Sequence, residues 1–277
     1  MGKYYKILPK DLICKGFQYQ EGLNIDTKKI TPYKCDNGLH FADAEDIFDF
    51  YSYGPIIAEV EIPEDAIVYH FDNKSKADKI ILKNLRPLWN VDTIKDLIRN
   101  GAIIETEKDN LLCNASENGY LDVVKYIVEQ GANIHIYDDC PLYWASYYGY
   151  LDIVKYLVEQ GANINVNERI ICFTLERGHF DVAEYLIEHG ANIHARDDGA
   201  LRWASEYGHL DVVKYLIEQG ANIHALDDEA LQQASVYGYF EIVKLLVENG
   251  ANPHARRGYA IRYAKTPEIK EYLKSVK

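Results

Sequence analysis

The chain has 277 residues, with 48% hydrophobic and 26% charged residues and a formal net charge of −13. These are the values of a folded globular protein and exclude wholesale disorder; the acidic balance excludes a nucleic-acid binder, which needs a basic face for phosphates. Apolar runs stay short, as in Pro55-Ile56-Ile57-Ala58, so neither a membrane-spanning helix nor a secretory signal is expected.

In chain order, the opening Met1-Gly2 resembles a myristoylation start, but Lys6 stands where that signal needs Ser or Thr. Residues 43–53 read as a short helix capped by Asp43, with Ile47, Phe48 and Tyr51 facing inward. Ile57-Ala58-Glu59-Val60-Glu61-Ile62 alternates apolar and polar residues, the mark of a half-buried strand. Residues 66–71 and 79–82 are further strand candidates. Residues 1–87 are therefore expected to form a small α+β domain, with a net charge of −2 from 12 basic and 14 acidic residues. No Ser- or Gly-rich linker follows, so this domain should dock onto what comes next, with Trp89 as a candidate for the contact.

From residue 88 the chain repeats. A Gly-Ala pair starts at Gly101, Gly131, Gly161, Gly190, Gly220 and Gly250, and a second glycine recurs at Gly119, Gly149, Gly178, Gly208 and Gly238. These two phases hold 11 of the 18 glycines, so composition alone does not explain them. A fixed period of this size signals stacked units. Each unit reads as two short helices. In the first, Leu201 and Ala204 form an inward stripe, Asp198 is the expected N-cap and Gly208 the left-handed stop. In the second, Asp211 favours the positive end of the helix dipole, and Val212, Val213, Leu216 and Ile217 form the apolar face. One such hairpin cannot bury its apolar face alone, whereas a stack can. Residues 91–102 and the final segment around Ile269-Lys270-Glu271-Tyr272-Leu273-Lys274 read as capping half-units.

The recurring Gly208-His209-Leu210 and Gly178-His179-Phe180, the Gly131-Ala132-Asn133-Ile134 endings and the Cys140-Pro141-Leu142-Tyr143 helix start resemble the ankyrin repeat. The resemblance covers residues 88–277. It implies a mainly α fold: an ankyrin-repeat solenoid of about five full units of roughly 30 residues plus capping half-units, preceded by the small α+β domain. The units are about three residues shorter than the usual 33, and the loss falls in the hairpin connection, which should be stubby. The His of the usual helix start is replaced by Cys113, Tyr143, Cys172, Arg202 and Gln232. Lys15-Gly16-Phe17-Gln18-Tyr19, Gly38-Leu39-His40-Phe41 and Lys76-Ala77-Asp78-Lys79-Ile80-Ile81-Leu82, ahead of short repeats, look like the ankyrin-repeat paralogues of giant DNA viruses. That likeness implies an intracellular, cytoplasmic protein of an infected host cell.

Candidate chemistry is sparse. His135, His194, His224 and His254 recur at one phase, with Asn165 at the remaining one. Units stacked about 8–10 Å apart cannot bring such a row onto one metal with ligand bonds of about 2 Å, so a hydrogen-bonded row is expected. Glu59 and Glu61 share a strand face but read as outward carboxylates. Gly38-Leu39-His40-Phe41-Ala42-Asp43, Tyr51 and Ile57-Ala58-Glu59-Val60 are faintly similar to part of the ADP-ribosyltransferase fold. That likeness implies an alternative in which the N-terminal domain is a transferase and the array its targeting arm. The five cysteines, Cys14, Cys35, Cys113, Cys140 and Cys172, include no CxxC pair and read as small apolar side chains of a reducing compartment.

The expectation is a non-enzymatic protein-binding module without cofactor or metal. In ankyrin stacks, the positions before each internal glycine face the concave side. Here these and nearby residues of the same helices comprise Trp144, Tyr147, Tyr148, Phe173, Glu176, Arg177, Trp203, Glu206, Tyr207, Gln233 and Tyr237. Aromatic rings give large contact area at low rotamer cost. With Asp138, Asp139, Asp197, Asp198, Asp227 and Asp228 at the hairpin side, the groove suits a protein partner with a basic segment.

Overall fold

The computed structural model describes residues 3–28, 30–33, 37–165 and 170–276. Cys35, Lys277 and the Met1-Gly2 start lie outside them. The chain divides into two compact units, residues 1–115 with 120–133, and residues 116–119 with 134–277.

The first unit begins with strands β1 (Tyr4–Leu8), β2 (Ile13–Cys14), β3 (Phe17–Gln18), β4 (Gly22–Ile25) and β5 (Leu39–Asp43). A 3-10 helix (Ile47–Tyr53) leads to β6 (Ile56–Glu61), β7 (Val68–His70), β8 (Ser75–Ala77) and β9 (Lys79–Pro87). Among the described residues, seven strands form an antiparallel sheet in the order β4-β9-β6-β1-β5-β8-β7, with β2 and β3 as a separate ribbon. Its alternating positions bury one apolar cluster, including Leu8, Leu39, Phe41, Val60, Ile80 and Leu82.

Two expectations need correction. Residues 43–53 are not one helix: Asp43 pairs with Tyr4 at the end of β5, and the 3-10 helix starts only at Ile47. Asp46 stands at its N-cap position and makes no side-chain cap bond. Ile47 and Phe48 are buried as their spacing suggests. The segment expected to be a small α+β domain is thus β-rich, its helical part reduced to the one 3-10 helix among the described residues.

Helices α1 (Val91–Arg99), α2 (Lys108–Glu117) and α3 (Leu121–Glu129) follow, and α1 packs on α3. Asn90 caps α1, its side-chain oxygen accepting from the backbone N–H groups of Asp92 and Thr93. Within this unit Trp89 lies between sheet segment and helices. Its ring stacks on Tyr120 at 5.6 Å and meets Tyr51 edge-on at 6.2 Å.

The second unit contains α4 (Ile136–Tyr147), α5 (Leu151–Glu159), α6 (Ile170–Glu176), α7 (Phe180–Glu188), α8 (Ala195–Tyr207), α9 (Leu210–Glu218), α10 (Ala225–Tyr237), α11 (Phe240–Glu248), α12 (Ala255–Arg262) and α13 (Pro267–Ser275). Each even-numbered helix packs against the odd one that follows it, and the even-numbered helices pack successively against one another. On the other side α5 contacts α7, α9 contacts α11, and α11 contacts α13. In α9, Val212, Val213 and Leu216 are buried and Ile217 is half-buried, reproducing the expected apolar face. Leu201 and Ala204 do the same in α8.

The connections contain an unexpected turn. Residues 137–139, 196–198, 226–228 and 256–258 take three consecutive left-handed conformations; for Leu226, Asp227 and Asp228, φ is 50, 59 and 60°. Left-handed backbone costs a non-glycine residue roughly 1–2 kcal/mol, so local bonds must offset it. Asp198 supplies one. It is not the N-cap of α8, as its sequence position suggests, but sits within the turn, 5% exposed. Its Oδ1 lies 2.9 Å from His194 Nδ1 and accepts the Asn222 backbone N–H at 2.8 Å. Asp139 and Asp228 repeat this arrangement with His135 and Asn163, and with His224 and Asn252. Arg202 and Gln232, two replacements of the usual His, donate to the turn carbonyls of Asp197 and Asp227 at 3.2 and 2.6 Å.

Candidate partner-binding surface

The helix spacing that buries Leu142 and Ala145 in α4 turns the intervening positions toward solvent. Tyr143, Trp144 and Tyr147 are half-buried, and Tyr148 is 42% exposed. The corresponding positions of α6 and α8 are Phe173, Glu176 and Arg177, then Trp203, Glu206 and Tyr207; none of them is buried.

These side chains form a connected belt. Trp144 meets Tyr147 edge-on at 5.6 Å, and Tyr147 meets Tyr148 at 5.0 Å. Tyr147 reaches Phe173 at 6.2 Å, Phe173 reaches Trp203 at 6.3 Å, and Trp203 reaches Tyr207 at 6.3 Å. Arg177 lies with its guanidinium 4.4 Å from the Tyr147 ring centroid and donates to the Tyr147 hydroxyl. Tyr237 continues the line through its hydroxyl, which donates to Glu206 at 3.3 Å. Gln233, also named from the sequence, is half-buried in α10.

Two carboxylates, Glu176 and Glu206, and one cation, Arg177, stand among the rings. Burial first, then the neighbouring Glu176 and Glu206 carboxylates, raises the pKa of the Tyr207 hydroxyl. Glu206, by its charge and its hydrogen bond, raises that of Tyr237. The acid row at the connections is smaller than the sequence suggests. Asp139, Asp198 and Asp228 are buried and committed to hydrogen bonds, leaving Asp138, Asp197 and Asp227 exposed. The reason is the left-handed turn, which aims the second Asp of each pair inward.

Tyr143 is a member that the sequence reading missed. It stacks on Tyr147 at 6.1 Å and meets Phe173 edge-on at 6.2 Å. Its signal was available, since it stands four residues before Tyr147 on one helix face. On the second helices, Tyr126, Tyr156, Tyr185 and Tyr215 are half-buried, with Lys95 over Tyr126 and Lys155 over Tyr185.

Elsewhere, the repeated histidines each face their own Asp at 2.9 Å in three of the four cases, forming the hydrogen-bonded row. Because a carboxylate only accepts, the imidazole Nδ1 donates. Glu59 and Glu61 are each engaged in an ion pair, with Arg86 and Lys83. Among the described residues, no helix is long and apolar enough to cross a membrane.

The chain belongs to the ankyrin-repeat proteins: the family model "Ankyrin repeats (3 copies)" matches residues 88–168 and 171–257. Residues 2–91 match a "Domain of unknown function (DUF7666)". Similar proteins come from Acanthamoeba polyphaga mimivirus. "Putative ankyrin repeat protein R838" is 30% identical over 135 residues, covering 42% of this chain and 49% of that protein. "Putative ankyrin repeat protein L72" is 32% identical over 126 residues, covering 42% and 32%. "Putative ankyrin repeat protein R868" is 30% identical over 127 residues, covering 43% and 62%. The matches thus span between 32% and 62% of the length of these relatives. The ankyrin repeat is a protein-interaction module, and the relatives are viral.

Proposed function

We propose that this protein is a non-enzymatic interaction factor of viral type that grips a partner protein, of the host or of the virus, along the aromatic belt. In this reading residues 1–87 form one domain and residues 88–277 an ankyrin solenoid of about five full units with capping half-units, and the belt lies on its concave face. The observation that carries the reading is the unbroken ring-to-ring path from Tyr143 through Tyr147 and Phe173 to Trp203, on helices that belong to successive units.

The physical case is preorganisation. Rings held by their neighbours and by Arg177 lose little rotamer entropy on binding, so more of the contact energy appears as affinity. Glu176 and Glu206 set a negative potential beside those rings, which suits a partner segment carrying Lys or Arg among apolar residues. A weaker grip at high salt follows, because exposed charges are screened within about 10 Å at 0.1 M ionic strength.

Affinity capture with the intact chain tests the reading, run beside a Trp203→Ala/Tyr207→Ala variant in lysate of the amoebal host of the viral relatives. A protein retained by the wild type, lost from the variant and released by salt is the expected result. Retention of the same proteins by both chains would refute the belt as the binding surface.

A further inference from the structure

The first unit contains a cavity of about 470 Å³, walled chiefly by β1, β5, the β2–β3 ribbon and the 3-10 helix. Two of the three short motifs that resemble the viral paralogues contribute to its wall, through Lys15, Gly16, Phe17 and Tyr19 and through Gly38, Leu39, His40 and Phe41. Nothing in the protein-binding reading uses it.

Lys6 makes this cavity chemically distinctive. In β1, Tyr4, Lys6 and Leu8 share one face by strand alternation. Leu8 belongs to the apolar cluster with Tyr19 and Phe41, and Tyr4 packs against it. Lys6 therefore places an ammonium on a mostly apolar face of the sheet, where the other buried polar side chains, Asn24 and Ser75, are uncharged, with the residue only 7% exposed. Its Nζ donates to the His40 carbonyl and lies 4.5 Å from the centroid of the Tyr19 ring. Among the described residues no carboxylate pairs with it, although Lys and Arg are rarely buried without one. Burial pushes its pKa down to about 8.

The rest of the wall fits the same conclusion. Lys15, Lys28 and Lys74 also line the cavity, and among the described lining residues the acid is Asp26. That carboxylate accepts the backbone N–H groups of Gly38 at 2.8 Å and Lys28 at 2.9 Å, and no ion pair with Lys6 is formed among the described residues. A cluster of four lysines stands out in a chain of net charge −13. Phe17 and Tyr19, whose rings lie 4.7 Å apart, supply flat apolar surface beside it.

We propose that this cavity binds a small anion carrying a planar ring, whose phosphate or carboxylate completes the pairing of Lys6 while the ring packs on Phe17 and Tyr19. The volume lies in the range of small-molecule sites, about 300–1,000 Å³, with a few placed polar groups in an apolar wall.

Isothermal titration of the full chain tests this with adenosine monophosphate (phosphate and ring), benzoate (carboxylate and ring), inorganic phosphate (charge alone) and adenosine (ring alone). The expected result is that one of the first two binds at least about tenfold more tightly than both of the last two, and that Lys6→Met weakens it by about tenfold or more. Lys6→Met keeps an unbranched side chain, one atom shorter and without the charge, and its unfolding curve shows whether it folds. If it does not, Lys15→Met and Lys28→Met, at exposed positions, serve instead: each should weaken only the charged probes. The proposal is overturned if no probe binds below about 10 mM, if adenosine or phosphate alone binds as well as the ring-bearing anions, or if the lysine variants bind like the wild type.

Discussion

Asp198 and Asn222, 24 residues apart, are joined by one hydrogen bond of 2.8 Å from the Asn222 backbone N–H to the buried Asp198 carboxylate. The same oxygen faces His194 Nδ1 at 2.9 Å. One side chain thus ties a left-handed turn to the connection that opens the next unit. In proteins stabilised by unit-to-unit contacts, such a tie acts at the interface.

Asp198→Ala should therefore destabilise the chain by about 1–3 kcal/mol, since it removes the acceptor of two hydrogen bonds. Asp198→Asn keeps an amide oxygen for both donors and should cost less. Urea unfolding of the two variants checks the order. Equal losses would mean that the charge or the turn geometry, rather than acceptance of these bonds, matters at this site.

The internal glycines allow a cleaner comparison. Gly208 has φ +82°, and a Cβ there would come within 2.4 Å of the Tyr239 ring. Gly178 occupies the same phase with φ +80°, yet a Cβ would meet nothing within 4 Å. Gly178→Ala should cost about 1–2 kcal/mol, the left-handed penalty alone. Gly208→Ala should cost more, because Tyr239 must also move. Adding Tyr239→Ala to Gly208→Ala should recover part of that excess. A double-mutant cycle by chemical denaturation measures it, and an interaction energy of zero would contradict the close approach.

The repeat was legible because its turns demand glycine at fixed intervals, and the helices between them must alternate buried and exposed faces. That constraint wrote Gly119, Gly149, Gly178, Gly208 and Gly238 into the sequence in one phase. The N-terminal strands carried no comparable signal. Tyr4–Leu8 is buried at nearly every position, so the period-two pattern that revealed Ile56–Glu61 is absent. Ser75–Ala77 is wholly buried although two of its three residues are polar. Asp43 resembled a helix cap because the same residue type also closes strands. The paired aspartates show a similar limit: Asp197 and Asp198 are identical in type, and only the turn decides that one faces solvent and the other the interior. The belt was mostly readable, as its members recur just before each internal glycine. Lys6 was not, for a lone lysine in a strand reads as an outward one.

The proposed binding role of the belt can be tested apart from stability. Tyr207 is 43% exposed, and Trp203 touches Phe173 and Tyr207 at the surface rather than in the buried stripe. Trp203→Ala with Tyr207→Ala should weaken partner capture by about tenfold or more if they form a hot spot, with less than about 1 kcal/mol lost in urea unfolding. A large loss of stability would instead assign both rings to the structural core. Reversing charge by Glu206→Lys should slow association with a basic partner and leave its dissociation nearly unchanged, as expected of a steering charge.

Lys6 predicts a pH dependence of known sign. Its folded-state pKa is pushed down to about 8 from 10.5, chiefly by burial, with Lys15 adding to the decrease and Cys14 opposing it. Below pH 8 both folded and unfolded chains hold the proton, so the full penalty of burying the ammonium is present. Between pH 8 and 10.5 the unfolded chain still holds the proton and the folded chain has released it, so stability rises with pH. The whole effect is about 3 kcal/mol, from 1.36 kcal/mol per unit. Lys6→Met lacks this ionisation. Without ligand, it should be more stable than the wild type near pH 7, and the difference should shrink as pH approaches 10.5, while other groups titrate alike in both chains. Parallel urea unfolding series over that range decide the matter. A constant difference, or a variant less stable than wild type near pH 7, would mean that the Lys6 ammonium is held by the fold at no cost.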